Sequence, residues 1–364
     1  MTASPPPARP AELGRLLADF GEGKKAALAR AVSIVENHRT GFDTLLSALT
    51  PRIGRARRIG LTGPPGAGKS TLGMRLAEAL RRQTLTVGIV AVDPTSPFTG
   101  GALLGDRIRM EDIALDPGVF IRSMATRGSL GGLAATTREV ADVLDAFGFD
   151  RILIETVGVG QTELDIARTA DTSVVVLVPE SGDSIQTLKA GLMEIADIYV
   201  VNKADRPGAD RLRNEIELML GLRLGNAMRD IPAHHGVDLG RARNPMHAAR
   251  QAAANNSALH WTPPVLRTVA AQGEGTAELI AAVDRHFHYL EISGALRERR
   301  RQRLRERVVE ATEERIQQRL FDNPTVATWI DEQLPALEAG TTTPFAVAEM
   351  LLKRGTDLLT GTGA

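Results

Sequence analysis

The 364-residue chain contains no cysteine. That excludes disulfides, a thiol nucleophile and a thiolate metal site, and it fits a reducing compartment, so a cytoplasmic location is expected. An excess of one charge is also missing, because Lys plus Arg (44) equals Asp plus Glu (44). Zero net charge gives no whole-protein attraction for nucleic acid or an anionic membrane. No apolar run approaches the roughly 18 residues of a membrane span. The opening MTASPPPARP has no apolar stretch that could act as a secretory signal and reads as a frayed, proline-rich tail. What remains is 43% hydrophobic and 24% charged, ordinary values for a soluble chain that buries a core.

Residues 11–49 carry apolar side chains at helical spacing: Leu13, Leu16 and Leu17, then Leu28, Val32 and Val35, then Leu45, Leu46 and Leu49. Three short helices covering one side of a larger domain account for them. From Arg57 the period changes. The runs RRIGLTG, TVGIVAVDP, RILIETVG, SVVVLVPE, IYVVNKAD and PVLRTVAA are short, apolar on both faces and separated by turns and helical stretches. Such a pattern predicts an α/β fold with a doubly wound, mainly parallel sheet, whose ligands bind beyond the carboxyl ends of the strands. From Gly294 onward the chain is helical and highly charged, with Leu304, Val308, Ala311, Ile316 and Leu320 in one apolar stripe. Its basic run RERRRQRLRER is interleaved with Glu298 and Glu306 and reads as a solvated helix face, not a nucleic-acid site. The expected domains are an N-terminal tail and helical extension (1–50), a nucleotide-binding domain (51–290) and a C-terminal helical arm (291–364).

Gly63, Pro64, Pro65, Gly66, Ala67, Gly68, Lys69 and Ser70, followed by Thr71, complete the pattern G-x-x-x-x-G-K-[ST] between a predicted strand and a predicted helix. This is the context a P-loop requires. Consecutive backbone amides can wrap a polyphosphate only where side chains do not block the approach, and the helix N-terminus adds partial positive charge. Lys69 would reach the β- and γ-phosphates, and the Ser70 hydroxyl would ligate Mg²⁺. Further along, VVNKAD sets Asn202, Lys203 and Asp205 after a strand. An aspartate accepts two hydrogen bonds from the N1–H and exocyclic amine of guanine, a pair of donors that adenine lacks. The expected nucleotides are therefore GTP and GDP. Glu155 ends another strand and precedes Gly158 and Gly160, where it can hold Mg²⁺ or its water while a glycine amide contacts the γ-phosphate. Gln161 lies two residues beyond Val159, so slow intrinsic hydrolysis is expected. Asp93 and Asp106 can each complete the oxygen shell of Mg²⁺. Lys69, Asp106 and Glu155 are the expected catalytic set, and Arg107 and Arg109 can meet either phosphate or a partner.

Six ordered blocks, GPPGAGKST, VAVDPTSPFTGGALLGDRIRM, FIRSMATRGSLGGLA, ILIETVGVGQTE, PESGDSIQTLKAGLMEIAD and VNKAD, together resemble the MeaB/ArgK/MMAA group of P-loop GTPases, members of the SIMIBI class. The resemblance runs from about Arg57 to Asp205 and resumes at WTPPVL. It implies a homodimeric GTPase chaperone, with the C-terminal helices as dimerisation arm. The client would be an adenosylcobalamin-dependent acyl-CoA mutase, loaded with cofactor from a cobalamin adenosyltransferase. It also implies that Asp183, Gln186, Lys189 and Glu194 belong to a switch that couples nucleotide state to the mutase. Residues alone would make that block an ordinary amphipathic helix.

Three departures from the family pattern stand out. Residues 234–254 form an insertion, and GGALLGDRIRM and IRSMATRG look more like the GTPase part of fused isobutyryl-CoA mutases. Methylmalonyl-CoA mutase is the default client, with isobutyryl- or 2-hydroxyisobutyryl-CoA mutase as alternatives. VAAQGEG replaces the usual base-contact motif, so Ala270 and Ala271 would offer only backbone N–H. Two other classes compete. A metal-delivery GTPase would rely on His234, His235 and His247, and a small-molecule kinase would favour ATP, which Asp205 disfavours.

Overall fold

In β1 (Arg57–Thr62), β2 (Val87–Asp93), β4 (Arg151–Thr156), β5 (Thr172–Leu177) and β6 (Ile198–Asn202), apolar side chains point alternately to the two faces of one sheet. Val90, Val92, Ile152 and Ile154 face one way with Val175, Leu177 and Val201, while Ile89, Leu153, Val174, Val176 and Val200 face the other. Period-two alternation with apolar residues at both phases forces helices onto both faces. The computed structural model describes residues 10–93, 111–125, 130–156, 162–179, 191–223 and 260–360. Within them β3 (Val119–Ala125) and β7 (Val265–Thr268) complete a seven-stranded sheet in the order β3-β2-β4-β1-β5-β6-β7, parallel throughout.

β3 was not among the six apolar runs. Its sequence VFIRSMA is interrupted by Arg122 and Ser123, as an edge strand tolerates, because one flank is not covered by a neighbouring strand. Arg122 pairs with Glu36 of the N-terminal extension. That extension consists of helices Pro10–Gly21, Lys25–Glu36 and Phe42–Leu49. It packs Leu28, Val32, Val35 and Leu45 into the same apolar cluster as Val140 and Leu144 of helix Leu130–Phe147. Helix Lys69–Arg82 and helix Thr276–Ile292 cover the opposite face.

The chain divides into two compact units, residues 1–297 and 298–364. In the second, helices Pro324–Glu338 and Pro344–Thr360 follow the helix that ends at Phe321, and Leu320, Val326, Val347 and Leu351 are buried. No helix among the described residues is long and apolar enough to cross a membrane.

Below the amino end of β1 lies a buried charge cluster. Arg58 donates to Asp142 at 2.7 Å and to Asp145 at 3.1 Å. Asp145, with no exposed side chain, also accepts the amides of Gly54, Arg55 and Ala56 at 2.9 to 3.0 Å. Burial alone would weaken the Arg58 charge, but the fields of Asp142, Asp145 and Asp171 outweigh it and hold the guanidinium above its ordinary value. Removing Asp145 takes one of the carboxylates from buried Arg58 and the shared acceptor from three amides. Asp145→Ala should therefore cost about 3–5 kcal/mol, read as a lower urea midpoint in unfolding followed by circular dichroism. A midpoint equal to wild type would reject the assignment.

Candidate functional site

β1 lies in the interior of the sheet between β4 and β5, so the segment that leaves its carboxyl end is flanked by the ends of both neighbours. Gly63 is buried at φ 134°, and a Cβ there would run into the backbone carbonyl of Val176 on β5. Only glycine fits that approach. Pro64 is buried, Pro65 and Gly66 are exposed, and the Ala67 amide donates back to the Pro64 carbonyl at 3.2 Å. Gly68, at φ 85°, starts helix Lys69–Arg82. The loop thus delivers the helix N-terminus, with its partial positive charge, to the carboxyl end of the sheet.

Lys69 is 6% exposed, and its Nζ donates to the carbonyls of Gly63 (2.7 Å) and Pro64 (3.0 Å). The ammonium is thereby held under the loop it follows. Ser70 Oγ donates to Glu155 Oε1 at 2.6 Å, and Thr71 is half-buried beside it. Glu155 is the penultimate residue of β4, in register with Leu61 of β1, and is 7% exposed. Two hard oxygen donors, a hydroxyl and a carboxylate, therefore meet at the mouth of the loop, a set that suits Mg²⁺. Asp93 closes β2, but its side chain lies outside the described residues, as do Asp106, Arg107, Arg109, Gly158, Gly160 and Gln161. The same holds for Asp183, Gln186, Lys189 and the segment 234–254. Glu194 is exposed on the short helical segment Met193–Ile195.

The end of β6 forms the second half of the site. Asn202 is 2% exposed. Its Nδ2 donates to the Ala67 carbonyl at 2.8 Å, and its Oδ1 accepts from Thr268 Oγ1 (3.0 Å) and the Ala270 amide (3.1 Å). One side chain thus ties the loop after β1, the end of β6 and the turn after β7 together through protein groups. Lys203 follows at φ 54°, a left-handed conformation that a non-glycine residue adopts at a cost of about 1 kcal/mol. Hydrogen bonds from Ala204 N–H to the Thr268 carbonyl and from Arg206 N–H to the Lys203 carbonyl, both 3.0 Å, fix this bend. The bend turns Asp205 outward, where it is exposed and lines a cavity of about 650 Å³ with Ala204, Thr268, Val269 and Glu274. Ala270 is buried and Ala271 exposed.

Sequence reasoning did not single out Thr268, which orients Asn202, or Arg75, which donates to the carbonyls of both Ala270 and Ala271. Neither belongs to a local motif. Both act across the fold, and no spacing in the chain points to them.

The family model described as methylmalonyl Co-A mutase-associated GTPase MeaB matches residues 28–325. A putative GTPase of Pyrococcus abyssi is 48% identical over 81% of this chain and 82% of its own length. The GTPase ArgK of Escherichia coli is 33% identical over 92% of this chain and 94% of its own. The mitochondrial methylmalonic aciduria type A homolog of Mus musculus is 31% identical over 93% and 78%. Among solved structures, a LAO/AO transport system kinase superposes with a TM-score of 0.65 at 28% identity, covering 95% of this chain and 98% of its own.

Proposed function

The chain belongs to the MeaB family of methylmalonyl-CoA mutase-associated GTPases, and on that premise we propose that its GTP hydrolysis is the switch of a chaperone for a B12-dependent acyl-CoA mutase. It binds guanine nucleotide and hydrolyses GTP to GDP and phosphate. In the proposed cycle the backbone amides that follow the two prolines, from Gly66 to Ser70, face the phosphates, and Lys69 Nζ turns from the loop carbonyls to the β- and γ-oxygens. Ser70 and Glu155 would hold Mg²⁺, with Asp93 and Asp106 as further donors; when bound, the ion neutralises phosphate charge. Asp205 accepts the N1–H and amine of guanine, and Lys203 and the Ala271 amide complete the base pocket. Asn202 sets these pieces in register. Hydrolysis is slow until a partner assists, and loss of the γ-phosphate is passed through the segment from Asp183 to Glu194 to the mutase.

The observation that supports the nucleotide part of this reading is the Asn202 bridge between the loop after β1 and the turn after β7. Methylmalonyl-CoA mutase is the first client to test, with isobutyryl- and 2-hydroxyisobutyryl-CoA mutases next, and a cobalamin adenosyltransferase is the proposed cofactor donor. Residues 1–50, 51–290 and 291–364 serve as extension, GTPase domain and dimerisation arm. Exposed Leu304, Val308 and Ile316 on helix Ala295–Phe321 supply apolar surface for a homodimer.

The test is co-purification of the chain with each purified mutase in GDP and in a non-hydrolysable GTP analogue. Capture of one mutase that depends on the nucleotide is the expected result. No capture of any of the three in either state would reject the chaperone reading and leave the GTPase intact.

A further inference from the structure

The turn after β7 is held from two sides. Asn202 accepts the Ala270 amide, as described above. On the opposite side Arg75, from the helix that begins at Lys69, donates through Nε to the Ala270 carbonyl (3.3 Å) and through one terminal nitrogen to the Ala271 carbonyl (3.1 Å). The other terminal nitrogen pairs with Glu78 at 2.9 Å, which fixes the plane of the guanidinium. An arginine used this way is a rigid fork, and two adjacent carbonyls are the acceptors it fits.

This clamp decides where one amide points. Val269 N–H donates to the Glu274 carbonyl, Ala270 N–H to Asn202, Gln272 N–H to Val269 and Gly273 N–H to Ala270, at 2.9 to 3.2 Å. Among the described residues, Ala271 N–H is the one amide between 269 and 273 without an acceptor, and Ala271 is exposed. No peptide bond in the described chain is cis, and the C=O and N–H of a trans peptide point in opposite directions. Because Arg75 draws the Ala270 carbonyl toward its helix, the Ala271 N–H faces away from that helix.

We propose that Arg75 is a positioning residue for purine selection, fixing the turn so that the Ala271 amide meets the oxygen at position 6 of a 6-oxopurine nucleotide. This rests on the guanine-nucleotide reading above, and it adds a residue remote in sequence from every motif of that reading. A merely structural strut would support the turn without changing which purine is preferred.

The test compares GDP, 6-thio-GDP and ADP by calorimetry on the full chain. Sulfur at position 6 is a poor acceptor, so the ratio of GDP to 6-thio-GDP affinity reports the amide contact. Arg75→Ala should weaken GDP about tenfold while leaving 6-thio-GDP and ADP nearly unchanged, so that the ratio falls toward one. An unchanged ratio, or an equal loss for all three nucleotides, overturns the proposal. If Arg75→Ala does not fold, Arg75→Lys decides on the same ratio. A lysine keeps the charge without the fork, so an intermediate ratio is expected and the wild-type ratio overturns. Wild-type protein that fails to prefer GDP over ADP would reject the guanine reading itself, a result separate from any change at Arg75.

Discussion

Lys69→Ala should remove GTP hydrolysis almost completely, by at least about a thousandfold in rate, and weaken nucleotide binding by about tenfold or more. The reason is the position of the ammonium. Lys69 is nearly buried, leaves the first position of the helix and reaches back under the loop to the carbonyls of Gly63 and Pro64. A cation in that place is a short side-chain rotation from any phosphate wrapped by the loop amides, and it stabilises charge that grows on the γ-phosphoryl oxygens in the transition state. Binding falls less than rate because the loop amides and the helix N-terminus remain. Single-turnover phosphate release and GDP calorimetry separate the two effects. The substitution also removes one donor from each of two loop carbonyls, so melting of the protein alone serves as control. Variant protein that is folded and hydrolyses GTP at the wild-type rate would remove Lys69 from the mechanism.

The second large effect is a change of preference. Asp205→Asn should weaken GDP by about a hundredfold and bring xanthosine diphosphate to equal or tighter binding. The Asp205 carboxylate stands exposed after the bend that Lys203 makes, and among the described residues no hydrogen bond or ion pair engages its oxygens. Both oxygens then accept from the N1–H and amine of guanine. An asparagine offers one acceptor and one donor, which clash with the guanine amine and match the oxygen of xanthine at that position. Competition calorimetry with guanosine, xanthosine and inosine diphosphates reads the exchange directly. Loss of all three equally would mean that the substitution collapses the bend, and an unchanged order would mean that Asp205 does not read the base.

These expectations were legible in the chain to different degrees. The phosphate loop could be recognised because its requirement is local: a glycine where a Cβ would strike Val176, a glycine that starts a helix, and a lysine one residue on. The core strands were legible for the same reason, since runs that are apolar at successive positions mark strands buried on both faces. β3 escaped because an edge strand needs less apolar surface, and Arg122 and Ser123 broke the pattern. In the C-terminal helices the stripe was legible, yet Leu304 and Val308 stand exposed while Leu320 is buried.

Local rules reach only as far as a turn, a helix or a strand. The chain by itself determined that a bare-backbone loop precedes a helix, that a carboxylate follows a later strand, and that both ends fall on one side of a parallel sheet. Tertiary structure alone decided that the two loops touch, because strand order places β6 two positions from β1 and lets Asn202 reach Ala67 from 135 residues away. It also decided that Arg75 grips a turn 196 residues distant and that Asp145 caps three amides beneath β1. Contacts of that separation leave no period or motif, since each residue type is ordinary in its own neighbourhood and gains its role only from what folding sets beside it.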